Sequence, residues 1–264
     1  MRCLLILLVL SIVVFSTPVG TYVTDGDTWP EARTVFHVDI PGADGLWDDA
    51  FESAMFRWND VTNFEFRIVR NSYGDPCNDP NVSAARNGVA FYDSICGTDW
   101  SDEIAISIAW VINSTNEIAQ AGVLFNRQEN WGVYSGPYWG DPYFGINEFR
   151  RVAVHELGHC LGLDHEDSET AIMQSLAGDL EYPTADDIAG ANFLYPDPAV
   201  NPSDPSSDSP QEIYREGVSS DTGNGDNAGA NAAGVDNSGD DSGDDSGGGG
   251  GGGGGCFITV INGD

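Results

Sequence analysis

Three of the chain's four histidines fall within eleven residues, His155-Glu156-Leu157-Gly158-His159-Cys160-Leu161-Gly162-Leu163-Asp164-His165. This run constrains the fold more than any other feature. Residues four apart lie on one face of a helix, so a helix through His155 and His159 lets both imidazoles reach a single ion. Asn147 is placed to cap that helix and Glu148 suits its positive start. Phe149, Val152, Val154 and Leu157 supply its apolar surface. Gly162 can take the left-handed conformation that ends a helix. The chain then turns and returns His165 as a third ligand. Three neutral imidazoles leave Zn2+ an open fourth position for water, whose pKa the ion lowers to about 7. Glu156, next to the first ligand, is the candidate general base.

Around this motif the chain divides into unlike parts. Residues 1–20 carry one charge, Arg2, followed by the apolar run from Cys3 to Phe15. The run is short of the ~20 residues that a bilayer span needs. It reads as a signal peptide cut after Ser16 or near Gly20, with a short membrane anchor as the alternative. No transmembrane span is expected in the mature chain, which is expected to be secreted or held at the cell surface. Residues 21–195 hold all seven tryptophans, enough for one sizeable core. Residues 196–255 are rich in Gly, Asp and Ser and end in nine consecutive glycines. They are expected to be a disordered acidic tail, because so little apolar surface cannot offset chain entropy. Residues 256–264 form a short last element.

Acidity narrows the partners. The chain has 42 Asp and Glu against ten arginines and no lysine, a formal charge of −32. Nothing here can form the basic footprint of a nucleic-acid binder or a polybasic lipid-docking patch. Most of the excess falls on residues 21–195, which favours neutral or basic substrates and fits a salty exterior. In an oxidising compartment Cys77 and Cys96 can close a loop of roughly 20 residues, worth on the order of 3 kcal/mol; two free thiols are the alternative. Cys160, inside the helical motif, reads as a buried small apolar residue.

The eleven-residue pattern resembles that of the metzincin zinc endopeptidases. These carry a methionine in a tight turn beneath the metal, and Met173 in Ala171-Ile172-Met173-Gln174 is similar to it. Its short distance from His165 resembles the matrixins, the matrix-metalloproteinase clan; Glu166 is a more astacin-like detail. The resemblance runs from about Thr34 to Tyr195. It implies an α+β, zincin-like fold: a twisted mixed β-sheet with two long helices, the active-site helix, a Met-turn and a C-terminal helix. Thr34–Ile40 alternates as a strand, Leu46–Asp60 reads as an amphipathic helix, and Thr184 to Asp187 as a capping-box start to the last helix. In matrixins one of an acidic pair like Asp186-Asp187 receives the mature N-terminal amine. Ile104–Val111 resembles the edge strand to which such enzymes add an extended protein or peptide substrate, and Ala121–Asn126 its neighbour.

Several family features are missing. Only His37 remains of the histidines that hold a second, structural zinc in animal matrixins, so that site is not expected. Ca2+ is open: Asp75, Asp79, Asp93, Asp99, Asp102 and Asp141 offer hard oxygen ligands, but no spacing singles out a site. No cysteine lies between the cleavage site and the first strand, so no cysteine-switch prodomain is expected. The Pro-x-Tyr that usually follows the methionine is absent, and Tyr182-Pro183 comes later. The glycine run and Cys256-Phe257-Ile258 resemble the CFI-type end of some bacterial surface or exported proteins, where Cys256 would be a processing or attachment point; an incidental cysteine is the alternative. The resemblance as a whole implies a secreted zinc endopeptidase. A non-catalytic surface or matrix binding protein on the same scaffold and a zinc hydrolase of a non-peptide amide remain the other readings.

Overall fold

The computed structural model describes residues 20–80, 86–140, 145–197 and, as backbone, 255–263. The expected signal peptide, residues 198–254 of the expected tail, Asp141 and the side chain of Cys256 lie outside the described residues. The architecture is α+β. Strands β1 (Arg33–Val38), β2 (Glu65–Arg70), β3 (Asn87–Tyr92), β4 (Glu103–Ile112) and β5 (Glu117–Asn126) form a mixed sheet in the order β2-β1-β3-β5-β4. β1 runs parallel to β2 and β3, β3 parallel to β5, and β4 antiparallel to β5. A short parallel pair, β6 (Trp131–Gly132) and β7 (Asn147–Glu148), leads into the helix that carries the histidine motif.

Helices α1 (Leu46–Asn59) and α2 (Phe149–Leu161) pack against the sheet, and α3 (Ala185–Leu194) contacts α2. The strands alternate because one face must be dry: β1 buries Thr34, Phe36 and Val38 and leaves Arg33 and Val35 exposed. Phe36, Phe51, Trp58, Phe64, Phe125 and Phe149 are fully buried in the layer between helices and sheet. The other face buries Ile106, Ile108 and Leu124 beneath Cys77, Tyr92, Ile95 and Trp100. Glycine lets this cover lie close: a Cβ on Gly122 would sit 2.2 Å from Pro76 Cβ. Cys77 and Cys96 are joined by a disulfide 19 residues apart in sequence, worth about 3 kcal/mol by loop closure in the unfolded chain.

One expectation about the sheet needs correcting. Ile104–Val111 lies in β4 beside the Ala121–Asn126 strand, as expected, but it is not the last strand. Residues Gly255–Gly263 (β8) pair in parallel with the outer side of β4 over its whole length. The strand signal of the last residues was hidden by the composition of the segment before them.

Candidate active site

Helix α2 is buried along nearly all of its length. Its cap differs from expectation. Glu148, not Asn147, caps the helix by accepting the Arg151 backbone N–H at 2.9 Å. Asn147 sits in β7, where it accepts the Tyr138 hydroxyl at 2.6 Å. Three side chains from elsewhere then pin the helix through its carbonyls. Trp58 Nε1 donates to Val154 O, Trp29 Nε1 to Cys160 O, and Ser107 Oγ to Glu156 O, each at 2.8 Å. Gly162 ends the helix at φ 102°, its N–H bonded to His159 O, and Leu163 N–H returns to Gly158 O. That turn delivers His165.

The three imidazoles converge. His155 Nδ1 donates to Ile172 O at 2.7 Å and His159 Nδ1 to Leu163 O at 2.8 Å. These bonds place the protons on Nδ1 and leave the Nε2 lone pairs inward. His165 Nε2 lies 3.3 Å from His155 Nε2 and 3.2 Å from His159 Nε2. Such nitrogens cannot bond one another without a proton between them; a cation can satisfy all three. Tetrahedral zinc with Zn–N of about 2.0–2.1 Å sets its nitrogens about 3.3–3.4 Å apart, so the spacing fits zinc. Burial pushes His155 down to about 4, with His165 adding to the shift, and holds His159 well below its ordinary value and His165 below it. The three imidazoles are therefore neutral near pH 7.

Glu156 is fully buried, and its Oε2 lies 2.8 Å from Ser107 Oγ, whose single proton it shares with the Glu156 carbonyl. Met173 is buried beneath the motif, so close that a Cβ on Gly158 would sit 2.3 Å from its Sδ. Its turn is held by Asp187, whose carboxylate accepts the N–H groups of Ile172 (2.9 Å), Met173 (3.2 Å) and Thr184 (2.6 Å). The neighbouring Asp186 faces the other way and accepts the Thr21 N–H at 2.7 Å. Sequence reasoning grouped the two aspartates and missed the part that Asp187 plays at the methionine. It missed Ser107 altogether, since a strand serine gives no signal of its own.

A cavity of about 220 Å³ opens beside His155, lined by Val152, Ile172, Leu176, Leu180 and Arg151 among others. Arg151 is 2% exposed and pairs with Glu181 at 2.9 Å; it also donates to Gly136 O. Arg57 joins Glu181 from α1 and lies 4.2 Å over the Tyr182 ring. Tyr182 is thus spent on Arg57 and does not line the cavity.

The remaining sequence candidates lie apart. His37 Nδ1 bonds the Ser72 hydroxyl at 2.8 Å on β1. Asp75 accepts from Cys77 N–H and Tyr92 hydroxyl, and Asp93 pairs with Arg127. Among the described residues only the histidine triad brings three metal-ligating side chains within reach of one ion. Cys160 is buried, and burial pushes its thiol up to about 12, which leaves it inert.

Comparison with known proteins agrees with this geometry. The chain is 44% identical over 77 residues to the macrophage metalloelastase of Oryctolagus cuniculus, a stretch covering 28% of this chain and 16% of that protein. It is 40% identical over 70 residues to stromelysin-1 of Equus caballus, covering 25% and 14%. With metalloendoproteinase 2-MMP of Arabidopsis thaliana it shares 25% over 184 residues, covering 63% and 42%. The chain thus spans less than half the length of these relatives. The sequence profile of the matrixin peptidases matches residues 42–196. That match takes in α1, strands β2 to β5, the three converging histidines and the methionine turn, more than half of the chain, and the chain belongs to the matrixin family.

Proposed function

We propose that the protein is a zinc-dependent endopeptidase that works outside the cytoplasm, secreted or at the cell surface. The observation that carries the reading is the convergence of three Nε2 atoms, with the buried Glu156 carboxylate between the first two histidines in sequence. His155, His159 and His165 would hold the zinc. When bound, the ion polarises the scissile carbonyl and acidifies water. Glu156 would take a proton from water as the water oxygen bonds to the carbonyl carbon, and return it to the amide nitrogen as the C–N bond breaks. Ser107 fixes Oε2 of Glu156 for this transfer, and Asp187 with Met173 holds the floor of the site. The cavity beside His155 accepts a neutral apolar side chain, because the Arg151 charge is already matched by Glu181 and Glu148. The Cys77–Cys96 disulfide supports an oxidising compartment, as does reading residues 1–20 as a signal peptide. Among the described residues no helix is long and apolar enough to cross a membrane.

The test is cleavage-site profiling of casein or gelatin with wild type and Glu156→Ala. Wild type should cleave, and a chelator should stop it. The variant should retain zinc and lose about 10²–10⁴-fold in turnover. Equal digestion by the two proteins would overturn the mechanism.

A further inference from the structure

The outer side of β4 is an interaction surface with an occupant already in place. β8 runs parallel to β4 in continuous register, from Gly255 opposite Glu103 to Gly263 opposite Ile112, with one irregularity between Glu103 and Ala105. The other side of β4 is taken by β5, so the described structure leaves neither side of β4 open. The contact is centred on the site: Ile258 lies opposite Ser107, the residue whose hydroxyl holds the Glu156 carboxylate. The strand belongs to the same compact unit as the rest of the sheet.

Its composition suits the place. The segment Gly255–Gly263 contains no charged residue, in a chain that carries 42 acidic ones. It also holds a β-branched run, Ile258-Thr259-Val260-Ile261, which favours a strand. An uncharged strand can join the edge of an acidic domain without repulsion, whereas the acidic stretch before it cannot. Connection through residues 198–254 makes the pairing intramolecular, so it is not diluted with the protein.

An extended peptide adds to a sheet through the one row of N–H and C=O groups on its exposed edge. That row on β4 serves a single strand at a time. We propose that residues 255–263 are a built-in competitor of substrate, a strand that caps β4 beside Glu156 and must leave before an extended peptide can bind. This rests on the endopeptidase reading and adds a regulatory step to it. A cap of this kind raises KM by the inverse of the uncapped fraction and leaves kcat unchanged.

The experiment uses the full chain carrying Ile258→Pro together with Thr259→Pro. Alternate residues of a strand face the same neighbour, so two consecutive prolines remove one ladder donor towards β4 in either phase. A control carries Ala232→Pro and Ala233→Pro in the connecting segment, and a second variant ends at Gly254. KM and kcat are measured on a neutral fluorogenic peptide, and hydrogen exchange on the amides of Glu103–Ile112. The proline pair and the shortened chain should each lower KM about tenfold with kcat constant, and speed exchange of the β4 amides that do not pair with β5. A synthetic peptide of residues 255–264 should restore the high KM competitively; the control should match wild type. Equal KM and equal exchange in all forms would overturn the cap. If no form cleaves, the endopeptidase reading fails instead, and the exchange measurement alone decides whether β8 covers β4.

Discussion

Replacing Gly158 by alanine sets helix propensity against packing beneath the histidine triad. Gly158 lies inside α2, immediately before His159. A Cβ there would sit 2.3 Å from Met173 Sδ and 3.0 Å from Trp58 Cζ2. Non-bonded heavy atoms settle at about 3.5–4.0 Å, so a shift of about 1.2–1.7 Å is required. Trp58 is fully buried and tied through Nε1 to Val154 O, so Met173 must give way. Alanine in a helix interior gains about 0.8–1.0 kcal/mol over glycine, while overpacking a core costs about 1–3 kcal/mol. Packing wins by about 1 kcal/mol, which lowers Tm by about 2–4 °C in a domain of this size. Function is more sensitive than stability. Met173 follows Ile172, whose carbonyl holds His155 Nδ1 at 2.7 Å, and disturbing such an outer partner typically weakens metal affinity or activity about 10–100-fold. Calorimetric melting of the metal-free protein, zinc affinity by chelator competition, and kcat/KM on one peptide would be measured together. The expected pattern is a small fall in Tm with a fall of about tenfold or more in zinc affinity or kcat/KM. A variant that melts higher than wild type and binds zinc equally well would refute the reasoning, because propensity would then have won and Met173 would not brace the ligand.

Two further outcomes follow from single contacts. Ser107→Ala removes the hydroxyl on Glu156 Oε2 and should lower kcat about tenfold while zinc affinity stays unchanged; unchanged kcat would show that Glu156 is positioned without it. Asp25 is pushed up to about 6 by partial burial and by the nearby carboxylates of Asp164 and Asp27. Its folded form therefore holds a proton that the unfolded form has lost between pH 3.8 and about 6, and stability declines as pH rises through that window. Asp25→Asn should flatten this decline and raise Tm at pH 7.5 more than at pH 4; an equal effect at both pH values would contradict the assignment.

The sequence showed some of this directly and concealed the rest for physical reasons. Helix α1, strand β4 and the turn at Gly162 were legible because period and glycine conformation are local, while β5 was recognised only through the family resemblance. The cap of α2 was misread by one residue, since Asn is the ordinary N-cap residue and Glu is not, and the outcome depends on Tyr138, which claims Asn147. The sequence left the place of Tyr182-Pro183 open, and the structure sets the Tyr182 ring against Arg57. Ser107 gave no signal, because its role depends on a strand and a helix meeting 49 residues apart in sequence.

What the sequence determined by itself was the set of candidate ligands and their order. The i, i+4 spacing of His155 and His159 and the glycine-ended turn to His165 follow from helix geometry alone. Tertiary structure decided everything that depends on which distant groups meet. Asp187 serves the methionine turn while Asp186 meets Thr21, and the outer side of β4 is paired with β8. Adjacent aspartates carry the same chemistry, and a strand edge accepts any extended backbone. Only the packed chain selects among such equal partners, through distance and through which groups it removes from water.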